Sequence, residues 1–243
     1  FHMPLFYMAS GYFYKGSHVL HKKKFIAKRI KGLYVPFLKW GFIFILLHNL
    51  LGYLQLIDIN GEGYHVVYDW KMYLKATRAV LTCAMPESLI GPVWFLEGLF
   101  ISYLFLLSLD YAVSKIVTEE NKRIITNCVI VLIILIATFI TTDTCNIIFP
   151  RNIDRDLGCI SLIYMGYVSA KLNNRLAYKA VPAVFCFLAI AMVARYWGTI
   201  SVADFTIRNP FIFLSCGYMG WDLIMYVAQI IEKRHDRLCK VLN

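Results

Sequence analysis

The stretch FHMPLFYMASGYFY, residues 1–14, followed by KGSHVLHKKKFIAKRIKGLYVPF, residues 15–37, decides how the rest of the chain is read. An almost wholly apolar run ends in Lys15, Lys22, Lys23, Lys24, Lys28, Arg29 and Lys31 before Pro36 opens the next apolar run. Lysine and arginine are held on the cytoplasmic side of a bilayer, so this basic segment faces the cytoplasm and residues 1–14 run inward. The opening run has no initiator Met and falls short of the ~20 residues a spanning helix needs, so we read the sequence as a fragment that begins partway through a span.

Composition fixes the class. Of 243 residues, 59% are hydrophobic and only 16% charged, and the mean hydropathy is +0.60. The apolar residues come in long blocks rather than short alternations, which defines an all-α, polytopic integral membrane helical bundle. The net charge of +10 would suggest nucleic acid in a soluble protein. Here most cations fall in alternate loops between spans, where topology requires them, so no nucleic-acid partner is expected. Seven cysteines lie mostly inside apolar runs with no C-x-x-C pair. They read as small buried hydrophobes, and neither a disulfide framework nor a metal site is expected. No cleavable signal peptide is visible.

Working outward from the basic segment, Leu33–Tyr53 forms the next span and runs outward. The loop from Leu54 to Ser88 is the longest. Within it Trp70, Tyr73, Leu74, Thr77 and Leu81 share one helical face while Lys71, Lys75 and Arg78 take another, which predicts an amphipathic helix lying on the outer leaflet, a pattern that a lid over a groove would share. Leu89–Tyr111 returns inward, opening with GPVWFLEGLF, in which Trp94 suits the interface and Glu97 does not suit lipid. Ile124–Thr141 goes out, Asp143–Asp156 is a polar outer loop, and Leu157–Ala170 comes back to Lys171, Arg175 and Lys179. Ala180–Trp197 goes out, a turn bears Asp204, and Phe205–Ile231 comes in to the basic EKRHDRLCK. The count is six spans and the partial first one. The inner segments hold more than twice the Lys and Arg of the outer ones, the bias this topology requires.

Ionisable groups inside a bilayer cost on the order of 3 kcal/mol, so those present are candidates for function. They are His2, Lys39, His48, Glu97 and Asp222. Counting about 1.5 Å per residue puts His48 and Glu97 in the outer half and Lys39 near the inner face, which allows a His48–Glu97 contact. Lys39 can snorkel, His48 can serve as an interfacial histidine, and Asp222 can pair with a neighbouring helix. Glu97 is the hardest to explain without a polar cavity. Lys28, Arg29 and Lys31, set against the apolar GLYVPF, are placed to hold the phosphates of an anionic cofactor.

F-H-M-P-L-F-Y-M-A-S-G-Y-F, the basic K-R-I-K-x-x-x-x-P-F, P-V-W-F-L and N-P-F-I-F-L-S-C-G-Y-M-G together resemble, in order and spacing, the membrane acyltransferase-3 family, especially its fucose-4-O-acetylase-like branch. The similarity covers nearly the whole chain. It implies a polytopic bacterial inner-membrane enzyme that moves acetyl from cytoplasmic acetyl-CoA to hydroxyls of an envelope polysaccharide or glycolipid precursor. It also implies that Ser10-Gly11 is the family's Ser-Gly turn and that Arg29 and Lys31 occupy its R-x-R position, with Lys31 where arginine is usual. The family's presumed catalytic histidine belongs to a first span upstream of His2, and its final spans are missing after Asn243.

We therefore read 1–243 as a single transmembrane acyltransferase-like domain truncated at both ends. His2 and Glu97 are carried as the catalytic candidates. Arg29, Lys31, Lys28 and Ser10 are the candidates for binding the acyl-CoA donor, and glycan or glycolipid acceptor and lipid bilayer are the other partners. The alternative is a transporter or flippase of an envelope glycan or lipid, with Glu97, His48 and Asp222 lining its pathway.

Overall fold

The computed structural model describes residues 2–54, 67–85, 91, 93–145, 147, 149–172, 179–196, 201–202 and 209–242, with the backbone alone at residues 2 and 234–242. The readings of Arg175, Trp197 and Asp204 lie outside these residues. The chain is an all-α bundle of helices. Among the described residues, four helices are long and apolar enough to cross a membrane, at Lys22–Tyr53, Trp94–Ile116, Glu120–Thr144 and Pro210–Lys233. Helix α8, Ala180–Tyr196, is apolar but shorter. Packing divides the chain into two compact units, one of Phe1–Leu20 with Phe105–Asn243 and one of His21–Leu104.

In the first unit, α7 (Ile153–Leu172) packs against α1 (His2–Tyr12), α6 (Glu120–Phe139) and α9 (Pro210–Leu242), while α8 packs on α9. Most of α7 is buried, from Arg155 to Ser169. A helix enclosed by protein need not be apolar all round, and α7 accordingly carries buried Arg155, Asp156, Ser161 and Ser169. Helices α6 and α8 instead turn Ile125, Val129 and Ile133, and Val181, Phe185 and Leu188, outward as lipid-facing helices do. The approach of α1 to α7 rests on two glycines. A Cβ added at Gly11 would lie 1.7 Å from the carbonyl oxygen of Ile163, and one at Gly166 would lie 2.0 Å from that of Met8. The two backbones touch where each helix lacks a side chain, as small residues permit in membrane bundles.

In the second unit, the basic segment expected as a loop is helical. Lys22–Arg29 forms α2, and a π turn over Ile30–Tyr34 joins it to α3, Val35–Tyr53. Lys, Ala and Arg are good helix formers, and only Phe25 of this segment is buried. The π turn has a local cause. Pro36 has no N–H to give the carbonyl of Gly32 and its ring crowds that carbonyl, so the ladder shifts and Val35 N–H bonds to Ile30 O instead.

Helix α4, Trp70–Leu81, forms where the periodicity predicts it, capped by Asp69 accepting from Met72 N–H at 2.7 Å. It packs antiparallel along α3, with Ala76 and Val80 in one core with Phe37 and Ile45. At one end Asn49 exchanges hydrogen bonds with the backbone of Tyr68. At the other the Tyr34 hydroxyl donates to Leu81 O at 2.8 Å. The buried face therefore runs through Ala76 and Val80, while Trp70, Leu74 and Leu81 of the expected apolar stripe are exposed. Helix α5, Trp94–Ile116, begins with Trp94 and Glu97 both buried.

Candidate functional site

The second unit builds a cationic site on the π turn. Phe25 packs against Tyr103 of α5, with ring centroids 5.6 Å apart, and the Arg29 guanidinium lies over both rings, 5.0 Å from Phe25 and 3.9 Å from Tyr103. A guanidinium laid on an aromatic face keeps its N–H donors in its own plane, at the ring's edge. Arg29 Nε is buried and has no hydrogen-bond partner among the described residues. A buried donor left in this way asks for an acceptor, and a carbonyl or phosphate oxygen would satisfy it. Lys28, Arg29, Lys31, Gly32 and Leu33 line one open cavity of about 280 Å³. Lys28 and Lys31 are exposed at its edge, Arg29 half-buried within it. The three cations named from sequence are thus brought together, with the arginine held rigidly and the lysines free to follow a ligand.

Glu97 lies in the first turn of α5, only 2% exposed, where the helix's N-terminal N–H groups favour a carboxylate. One turn on, Phe100 stacks on Tyr34 with centroids 5.2 Å apart, so Glu97 sits close to the level of the π turn. His48, further along α3, is buried with its ring stacked on Tyr68 at 3.7 Å. Lys39 is exposed and Asp222 is buried on α9. Ser10 and His2 are on α1, in the first unit. Ser10 is half-buried, and its neighbour Gly11 serves the contact with Ile163 rather than a turn, because α1 continues through both residues to Tyr12. The side chain of His2 lies outside the described residues.

Two buried charge groups were not singled out in the sequence. Arg155 and Asp156 are each 1% exposed, with Arg155 Nε and Nη2 both donating to Asp156 Oδ1 at 2.9 Å, beside Tyr7 and Cys159. The run IDRD reads as the end of a polar loop, whereas here it opens the enclosed helix α7 beside Tyr7 of α1. Asp110 is 4% exposed and accepts from the Tyr14 hydroxyl and from Asn127 Nδ2. An acid placed at the end of an apolar run, with Asn127 early in the next, was the available signal.

With the helices and their cationic centre in place, comparison with known families gives the class. The model of the acyltransferase-3 family, described as an acyltransferase domain, matches residues 1–241, and the chain belongs to that family. Fold and family together define a multi-pass membrane acyltransferase. Searches of the curated proteins and of the solved structures find no match.

Proposed function

We propose that the protein transfers an acetyl group from cytoplasmic acetyl-CoA to a hydroxyl of an envelope polysaccharide or glycolipid precursor in a bacterial inner membrane, as in the fucose-4-O-acetylase-like branch of its family. The observation that carries this reading is Arg29, stacked on Tyr103 with a buried Nε donor unsatisfied, facing a cavity edged by Lys28 and Lys31. In the reaction the acceptor oxygen attacks the thioester carbonyl, the carbon–sulfur bond breaks, and the thiolate leaves to take up a proton. The acceptor's own proton must go to a base. Donors aimed at the developing oxyanion and cations on the donor's phosphates lower the barrier. Arg29 and the two lysines supply the positive charge, and Glu97, in the same unit, is the group assigned to proton transfer.

The test uses membranes carrying the protein and acetyl-CoA labelled on the acetyl carbon, with label followed into glycan and lipid fractions. Transfer in the wild type and its loss in Arg29→Ala, with insertion unchanged, is the expected result. Wild-type turnover in Arg29→Ala would remove Arg29 from the site, and no label in any fraction that bears acceptor would favour transport over transfer.

A further inference from the structure

The first unit contains a second cationic cavity, built by residues the acyl-transfer reading does not use. It measures about 630 Å³ and is walled by Lys15, Ser17, Thr118, Glu120, Arg123 and Lys171, among others. These come from the turn after α1, the junction of α5 with α6, and the end of α7, so one chamber gathers several helix ends. Its wall holds three cations and one carboxylate. Glu120 is already engaged, accepting from Lys171 Nζ at 2.6 Å. Lys15 makes no ion pair among the described residues.

Arg123 is held from behind. Its Nε lies 3.6 Å from Oδ1 of the buried Asp110, which also accepts from Tyr14 at 3.2 Å and Asn127 at 3.0 Å. The other end of the guanidinium passes over Gly16, where an added Cβ would come within 3.0 Å of Nη2. Asp110 therefore acts as a positioning residue that fixes the arginine fork without filling the chamber. A fixed fork, the unpaired charge of Lys15 and wall hydroxyls, with Lys171 beside them on Glu120, form a donor set of the kind that recognises phosphate. The volume falls within the range of small-molecule clefts.

We propose that this chamber binds a phosphate ester, carried either by a soluble nucleotide or by the headgroup of an anionic phospholipid. The excess of cation over carboxylate selects the charge, and the held guanidinium selects the tetrahedral oxyanion. The proposal stands apart from the Arg29 site, and its test reads occupancy rather than transfer.

The experiment measures amine labelling of Lys15 and Lys171 by mass spectrometry, in the full protein held in zwitterionic nanodiscs. The exposed Lys122 serves as internal reference, since its side chain is 72% accessible. One arm adds adenosine 3′,5′-bisphosphate, and the other replaces part of the lipid with phosphatidylglycerol. Protection of Lys15 and Lys171 relative to Lys122 is expected in one arm, and which arm shows it names the source. Arg123→Gln should raise the concentration needed for protection by about tenfold or more, the loss of a charge-assisted contact. Should Arg123→Gln not fold, Lys15→Gln read at Lys171 serves the same purpose. Absence of protection in both arms, or protection unchanged in these variants, overturns the proposal.

Discussion

The guanidinium of Arg29 lies 3.9 Å from the ring centroid of Tyr103, and Tyr103 stands near the middle of the 23-residue helix Trp94–Ile116. The arginine therefore meets α5 halfway along it.

Tyr103→Leu should lower kcat/KM for acyl transfer by about thirtyfold, corresponding to the ~2 kcal/mol of a desolvated cation–π contact. Arg29→Lys should lose at least as much, because an ammonium has no planar face to lay on the ring and no fork to present. Turnover assays on membranes with matched protein levels check both. Unchanged kinetics in Tyr103→Leu would show that the ring does not position the arginine.

Gly11→Ala should prevent α1 from docking on α7, since the new Cβ would sit 1.7 Å from a backbone oxygen that cannot rotate away. A loss of about 3 kcal/mol or more is expected, beyond ordinary overpacking because backbone rather than side chain must move. Gly52→Ala, with nothing within 4 Å of its added Cβ, should be neutral or slightly stabilising. Thermal unfolding in detergent, followed by far-UV circular dichroism, separates the two.

A Cβ at Gly41 would approach Val80 Cγ1 to 2.7 Å, a clash with a side chain. Gly41→Ala should destabilise the second unit by about 1–3 kcal/mol, and Val80→Ala in the same chain should recover much of it. Additive costs in the double mutant would mean that α4 does not lie against α3 at this register.

Removing one member of the Arg155–Asp156 pair takes the 2.9 Å contact away from a charge that stays enclosed. Asp156→Leu should cost about 3–5 kcal/mol, and Arg155→Met a similar amount, while the double replacement should cost much less than the sum. Denaturant titration of the three variants gives the coupling directly, and strict additivity would show that the two side chains do not share one enclosure.

The parts legible in the sequence are those fixed by local chemistry. The apolar runs of α3, α5, α6 and α9 announced themselves by length, and α4 by its 3.6-residue period. Periodicity assigns a helix a face but not a partner, which is why Ala76 and Val80, small and unremarked, turned out to be its buried side while Trp70 and Leu74 face out. Lys28, Arg29 and Lys31 could be named from their setting before Pro36, yet the aromatic seat of Arg29 required Tyr103, distant in sequence. Arg155 and Asp156 stayed hidden because burial there depends on the helices packed around α7, and nothing in IDRD reports what docks on it.

The π turn at Ile30–Tyr34 carries one residue more than an α-helical turn would. Each added residue advances a helix by about 100° of rotation, so this insertion sets the azimuth of Arg29 relative to the membrane-spanning body of α3. A chain lacking Gly32 would keep the same hydropathy profile, charge bias and apparent number of crossings. It would present its arginine to a different neighbour, so in this protein a deletion too small to alter any topology plot is large enough to misaim the site.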